Sequence, residues 1–217
     1  LSERSLLALD TSGERYIVAL IGGDRIMRFS AGPGNDRAWG LSSESARLLS
    51  DCGITARDLS CVACGLGPGT FIGTRSGISF ANGIGQTLGL PLFGFSSLDA
   101  LAIPHIGEDA AVVALKRARK PSLFCSLYPP QLLKPGVQPS RAFGDEIVTW
   151  EQLMSDVLPH VLGGFRLVLS GCPPPDGIGL PVVEAHIAPP GLLHAAVAAS
   201  VGEPLPMLAP KYLAPPV

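Results

Sequence analysis

Gly65-Leu66-Gly67-Pro68-Gly69-Thr70-Phe71-Ile72-Gly73-Thr74-Arg75, continuing as SGISFANGIGQTLGL to Leu90, is the stretch whose reading decides the fold. A glycine-rich turn over 65–69 leads into a run with no proline until Pro91. Counting in fours from Gly73 gives Gly73, Gly77, Ala81, Gly85 and Gly89. Residues four apart share one face of a helix. The spacing predicts a helix over 70–89 with one face nearly bare of side chains, beside a stripe of Phe80, Ile84 and Leu88. Each glycine costs a helix about 1 kcal/mol relative to alanine, so four cost roughly 3–4 kcal/mol. Close approach of another backbone, from a helix, a sheet or a partner chain, is the usual compensation.

Upstream, Cys61 to Gly65 reads as a buried strand delivering the turn, and Arg37 to Cys52 as a helix ended by Gly53. That helix gathers Leu41, Ser45, Leu48, Leu49 and Cys52 on one face, and Asp36 is placed to cap it. Leu6–Leu9, Tyr16–Ile21 and Arg25–Phe29 form an antiparallel meander with turn signals at both joins. Downstream, Pro91–Phe95 is a strand and Ser96 to Leu101 opens a helix. The order β-β-β-α-β-α-β-α predicts an α/β layered fold. Past Pro104 the texture changes. Strands are expected at 110–115, 123–128 and 167–170, with a short one at 182–183. Helices are expected at 151–161 and 191–201, the loops are proline-rich, and the end is short and extended. Two subdomains follow: 1–101, carrying the two helices, and a divergent 102–217 whose tail packs back on the first. No solenoid period repeats.

The 217 residues are 47% hydrophobic and 16% charged, which excludes a disordered chain. Net charge is −2 and the pI about 6.1, so charge alone does not mark a nucleic-acid binder. No apolar run reaches the length of about 18 residues needed to span a membrane, and no signal peptide is visible. The expectation is a cytoplasmic protein with no membrane contact. Cys61-Val62-Ala63-Cys64 is a lone C-x-x-C inside a buried strand, so small reduced core residues are favoured over zinc or redox chemistry.

Asp10-Thr11-Ser12, at the end of the first strand, and Gly67-Pro68-Gly69 with Arg75 form a candidate anion contact. Free N–H groups at a turn and helix N-terminus attract anions. No Gly-Lys-Ser/Thr follows, so the turn is not a Walker loop, and the glycine spacing is not a dinucleotide fingerprint. The competing reading is a tight turn with close helix packing. Asp10-Thr11-Ser12 stands alone, whereas aspartic-protease chemistry needs two carboxylates. Lys116-Arg117-Ala118-Arg119-Lys120 is more readily a solvated turn than a phosphate patch. His105, His160, His186 and His194 form no metal-binding spacing. No catalytic residue and no metal ligand is assigned.

Leu7-Ala8-Leu9-Asp10-Thr11-Ser12, the Gly65–Arg75 core, Gly94-Phe95-Ser96-Ser97-Leu98 and Pro210-Lys211-Tyr212-Leu213 resemble, at similar spacings, the signatures of the bacterial TsaB (YeaZ) family. The likeness is strong over 6–101 and weaker beyond. Arg37 stands where the family commonly has a histidine, and Lys116-Arg117-Ala118-Arg119 where it has an Asp-Ala-Arg run.

The resemblance implies an actin/hexokinase/Hsp70-like fold of two ribonuclease-H-like halves. It implies a non-catalytic subunit of the complex that makes tRNA threonylcarbamoyladenosine, pairing with and activating the TsaD threonylcarbamoyltransferase. A TsaE-like ATPase joins the pair, the chain forms a homodimer when alone, and tRNA is met indirectly. No cofactor is assigned; ATP or ADP is expected only at the complex interface. The partner interface is expected on the two helices, through Leu41, Ser45, Leu48, Gly73, Gly77, Phe80, Ala81, Ile84 and Gly85. The alternative is an ATP-dependent phosphotransferase of the sugar-kinase type using Asp10 and the glycine-rich turn. That reading lacks a second phosphate loop and an adenosine motif.

Overall fold

The computed structural model describes residues 4–33, 37–161, 163–177 and 179–213. The expected Asp36 cap lies outside the described residues. The first sheet has the order β3-β2-β1-β4-β5. It comprises β1 (Ser5–Asp10), β2 (Arg15–Gly22), β3 (Arg25–Pro33), β4 (Cys61–Gly65) and β5 (Leu92–Phe95). β1 pairs antiparallel with β2 and β2 with β3, whereas β4 runs parallel to both β1 and β5. α1 (Arg37–Asp51) and α2 (Phe71–Leu88) connect the strands on one face, and α5 (Pro189–Ser200) covers the other. The alternation along β1 follows from this. Leu7 and Leu9 pack with Leu41, Leu48 and Ile78, while Leu6 and Ala8 pack with Leu192, Ala195 and Ala196. A central strand covered on both faces is buried along nearly its whole length, so β1 reads as a continuous apolar run.

The second sheet has the order β10-β9-β6-β7-β8. Its strands are β6 (Ala111–Arg117), β7 (Ser122–Tyr128), β8 (Phe143–Thr149), β9 (Phe165–Ser170) and β10 (Val182–Glu184). Within each sheet the chain visits positions in the order third, second, first, fourth, fifth, with the first three strands antiparallel and the rest parallel. Each half thus has the ribonuclease-H-like arrangement, and together they make the actin/hexokinase/Hsp70-like α/β fold. α3 (Ser97–Ala102) lies between the sheets, giving Ala100 to the first core and Leu98 and Leu101 to the second.

Two elements differ from the sequence reading. β8 falls where no strand is predicted. The helix expected at 151–161 is α4 (Trp150–Gln152), followed by a wide turn over 153–157 and a tight one over 158–160 that contains Pro159. Proline lacks the N–H that would continue a regular helix.

Candidate functional site

β1 ends in Asp10, which is 1% exposed. Asp10 Oδ1 accepts from Ser12 N at 2.8 Å and Ser12 Oγ at 2.7 Å, and Ser97 Oγ donates to Oδ2. Thr11 Oγ1 donates to Gly73 O at 2.6 Å, and Thr70 N to Ser12 O at 2.7 Å. The glycines are what let these groups meet. A Cβ at Gly65 would overlap Asp10 Oδ2, and one at Gly69 would overlap Ser12 O. Gly67 takes φ +91°, open to glycine at little cost. Lys116 reaches in from the second half and donates from Nζ to Ser12 Oγ. Burial lowers the Lys116 ammonium pKa, with the Asp10 and Asp145 carboxylates acting in the opposite sense. Asp10, Thr11 and Ser12 are therefore buried and bonded within the chain. Arg75, the cation of the candidate anion contact, turns instead to Phe71 and Tyr212.

The small-residue stripe of α2 faces inward. Thr11 fills the space where a Gly77 Cβ would lie, and Leu92 the space at Gly85. Gly73 and Ala81 are buried as well. The side chains these glycines let approach are the chain's own, Thr11 just past β1 and Leu92 on β5, which corrects the expectation that Gly73, Gly77, Ala81 and Gly85 present themselves to a partner. Leu41, Ser45 and Leu48 on α1 are likewise buried within the chain. Phe80 and Ile84 are half-buried. What the first half of α2 turns outward is Phe71 (48% exposed), Ile72 (71%), Arg75 and Ser79. With Phe80 and the edge of Leu41 they line a groove of about 450 Å3 between α1 and α2.

The basic turn divides. Lys116 is buried, and Arg117 Nη2 pairs with Glu14 Oε1 across the two halves at 2.5 Å. Arg119 and Lys120 remain exposed.

Sequence reading gives no sign of a buried charge cluster between the halves. Asp145 accepts from Ser126 Oγ at 2.7 Å, Ser96 Oγ at 3.1 Å and Lys211 Nζ at 2.6 Å. Arg141 grips Asp99 with two bonds, at 2.9 and 2.5 Å, and Tyr128 OH donates to Asp99 at 2.8 Å. Burial pushes Asp99 above the usual aspartate value against the pull of Arg141. Burial would also raise Asp145, but its bonds to Lys211 and Ser126 and the Arg141 charge hold it below. The members come from four separate stretches of the chain, Ser96/Asp99, Ser126/Tyr128, Arg141/Asp145 and Lys211, so only folding brings them together.

All five cysteines are free thiols. Among the described residues no three His, Cys, Asp or Glu side chains gather as a metal site, and no helix is long and apolar enough to cross a membrane.

The family model described as "TsaD: tRNA N6-adenosine threonylcarbamoyltransferase" matches residues 41–162. An uncharacterised protein of Mycobacterium tuberculosis is 38% identical over 77 residues, 36% of this chain and 36% of that protein. The tRNA threonylcarbamoyladenosine biosynthesis protein TsaB of Haemophilus influenzae is 30% identical over 157 residues, 70% of this chain and 62% of its own length. The chain thus spans between about a third and three fifths of these relatives' lengths. The solved structure of YeaZ from Pseudomonas aeruginosa superposes with a TM-score of 0.76 at 24% identity, covering 97% of this chain and 100% of that one.

Proposed function

The chain belongs to the family described as TsaD, tRNA N6-adenosine threonylcarbamoyltransferase, in its TsaB (YeaZ) branch, and on that premise we propose that it is a non-catalytic docking subunit in making tRNA threonylcarbamoyladenosine. Its partner is a TsaD-like paralogue, which it activates and which carries the transfer chemistry. A TsaE-like ATPase joins the pair in the cytoplasm, and tRNA reaches this chain only through the complex. Without the paralogue, two copies pair through the same face.

The observation that carries this reading is the α1–α2 groove. It sets Ile72 and Phe71 in solvent beside half-buried Phe80, on a helix whose other side is fixed to the sheet. Clustered exposed apolar side chains on a rigid element mark interaction sites. The buried Asp10 cluster supports the same reading over phosphotransfer, because its carboxylate and hydroxyls are bonded to one another and to Lys116.

Reconstitution tests it. The chain, a TsaD-like paralogue, a TsaE-like ATPase, tRNA and the threonylcarbamoyl donor are combined, and each protein is omitted in turn. Transfer is expected to need the paralogue and to fall strongly without this chain. Transfer by this chain alone would overturn the proposal. Ile72→Glu is expected to abolish co-purification with the paralogue while stability stays within about 0.5 kcal/mol, as for exposed positions generally.

A further inference from the structure

The segment after α5 has no regular structure, yet it is pinned along the whole length of α2. Leu205 N donates to Leu92 O at 2.8 Å, adding a bridge to the edge strand β5. Asn82 of α2 exchanges two bonds with Leu208: its Nδ2 donates to Leu208 O at 3.0 Å and its Oδ1 accepts from Leu208 N at 2.9 Å. The Leu208 side chain is 2% exposed in the α1–α2 core. Lys211 N donates to Leu66 O at 2.8 Å, while its ammonium reaches the wholly buried Asp145 carboxylate on β8. One residue later, Tyr212 arrives at the start of α2. Its ring stacks on Phe71 with centroids 6.1 Å apart, and its hydroxyl accepts from Arg75 Nε at 2.7 Å. The Arg75 guanidinium lies 4.0 Å over the Phe71 ring and 5.7 Å from that of Tyr212.

We infer that residues 205–213 form a strap that braces the start of α2 beside the docking groove, with Tyr212 as the positioning residue that holds the groove residues Phe71 and Arg75 ready for the partner. The inference rests on the docking reading above. Phe71 and Arg75 are exposed, so without Tyr212 both would sample several rotamers and lose that freedom on association. Ordering them in advance removes that cost, and aromatic and arginine side chains are the types that dominate binding energy. Lys211 is the anchor, because its ion pair to a fully buried carboxylate fixes where the next residue falls.

The groove also specifies its occupant. Among the described residues it is lined by Leu41, Phe71, Ile72 and Phe80, with Arg75 as the one cation and no carboxylate. The complementary surface is an apolar helical stripe on the TsaD-like paralogue, carrying an Asp or Glu that meets Arg75.

Titration calorimetry of the intact 217-residue chain with the purified paralogue tests this, with Ile72→Glu reporting on the docking reading itself. Tyr212→Ala is expected to weaken association about tenfold, a loss common for a central aromatic contact. Its thermal midpoint should match the wild type. Tyr212→Phe keeps the stack, loses the Arg75 bond, and should recover most of the affinity. Lys211→Met should weaken association and make the tail the first site of limited proteolysis. If Ile72→Glu abolishes binding while Tyr212→Ala binds as the wild type does, the strap inference is overturned and the docking face stands. If Ile72→Glu binds normally, or the wild type does not bind, both readings are overturned.

Discussion

Gly77 and Gly83 lie on the same helix, yet only Gly77 needs to be glycine. A Cβ at Gly77 would overlap Thr11 Oγ1, a hydroxyl already fixed by its bond to Gly73 O. Gly77→Ala is expected to destabilise by about 1–3 kcal/mol, as overpacked cores do. At Gly83 an added Cβ meets nothing within 4 Å. Gly83→Ala is expected to stabilise by about 0.5–1 kcal/mol, the ordinary gain from replacing a helical glycine. Urea unfolding of both variants measures the two shifts, and shifts of the same sign would contradict the inward face described here. The spacing of the small residues is legible in the sequence, as is their need for a close neighbour. The identity of that neighbour is not. Thr11 and Leu92, which fill the stripe, come from β1's end and from β5, so the stripe's period fits a sheet and a partner helix equally well. For the same reason a bulky residue at Gly77 or Ala81 acts on the fold before it can act on docking.

Among the elements, the apolar strands and the glycine-bounded helices of the first half announce themselves, whereas β8 does not. β8 carries Gly144, Asp145 and Glu146, residue types that strands avoid. It is held by pairing with β7 and by the bonds that Asp145 accepts from Ser96, Ser126 and Lys211. None of those partners is local, so no window of sequence contains the cause. The same bonds give the strap a pH signature. The folded Asp145 carboxyl lies below the ordinary value of 3.8: burial works to raise it, and the bonds to Lys211 and Ser126 and the Arg141 charge outweigh burial. A carboxyl depressed on folding adds stability above the unfolded value, and that stability is lost as pH falls through the folded value. Lys211→Met removes one of the depressing groups. It is expected to cost about 1–2 kcal/mol near pH 7, less than an isolated buried pair, because Arg141 still faces the carboxylate and Lys211 is 43% exposed. The gap between wild type and variant should close as pH falls below 3.8, where Asp145 is neutral in the unfolded chain and becomes so in the folded one. Urea titrations of both proteins across the acid range read this directly. A gap that stays constant with pH would show that the Lys211 contact is not electrostatic.

At the scale of the whole molecule, the two sheets share one strand order without sharing a visible sequence repeat, because topology constrains the alternation of elements and not their residues. The halves are not independent in the way that duplication suggests. α5 follows the last strand of the second sheet but covers one face of the first, where Leu192, Ala195, Ala196 and Ala199 pack on Leu6, Ala8, Ile17, Ala19, Ile21 and Phe93. At Gly191 the helix comes so close to α3 that a Cβ would overlap Ala100 O. Lys116 and Arg117 of the second half bond Ser12 and Glu14 of the first. The exposed Glu14–Arg117 pair contributes little, about 1 kcal/mol or less, so the shared helix carries most of the coupling. Unfolding is therefore expected as one transition, with calorimetric and van't Hoff enthalpies equal. A chain cut after Ala188 loses the layer over the first sheet along with the strap. It is expected to bind a hydrophobic dye and to lose its near-ultraviolet circular dichroism while keeping much of its strand content, as proteins do when specific packing fails but collapse persists. Two resolved transitions in the intact chain, or a cooperative native-like truncation, would show instead that the second sheet and the first fold separately, and that α5 is an accessory to the core.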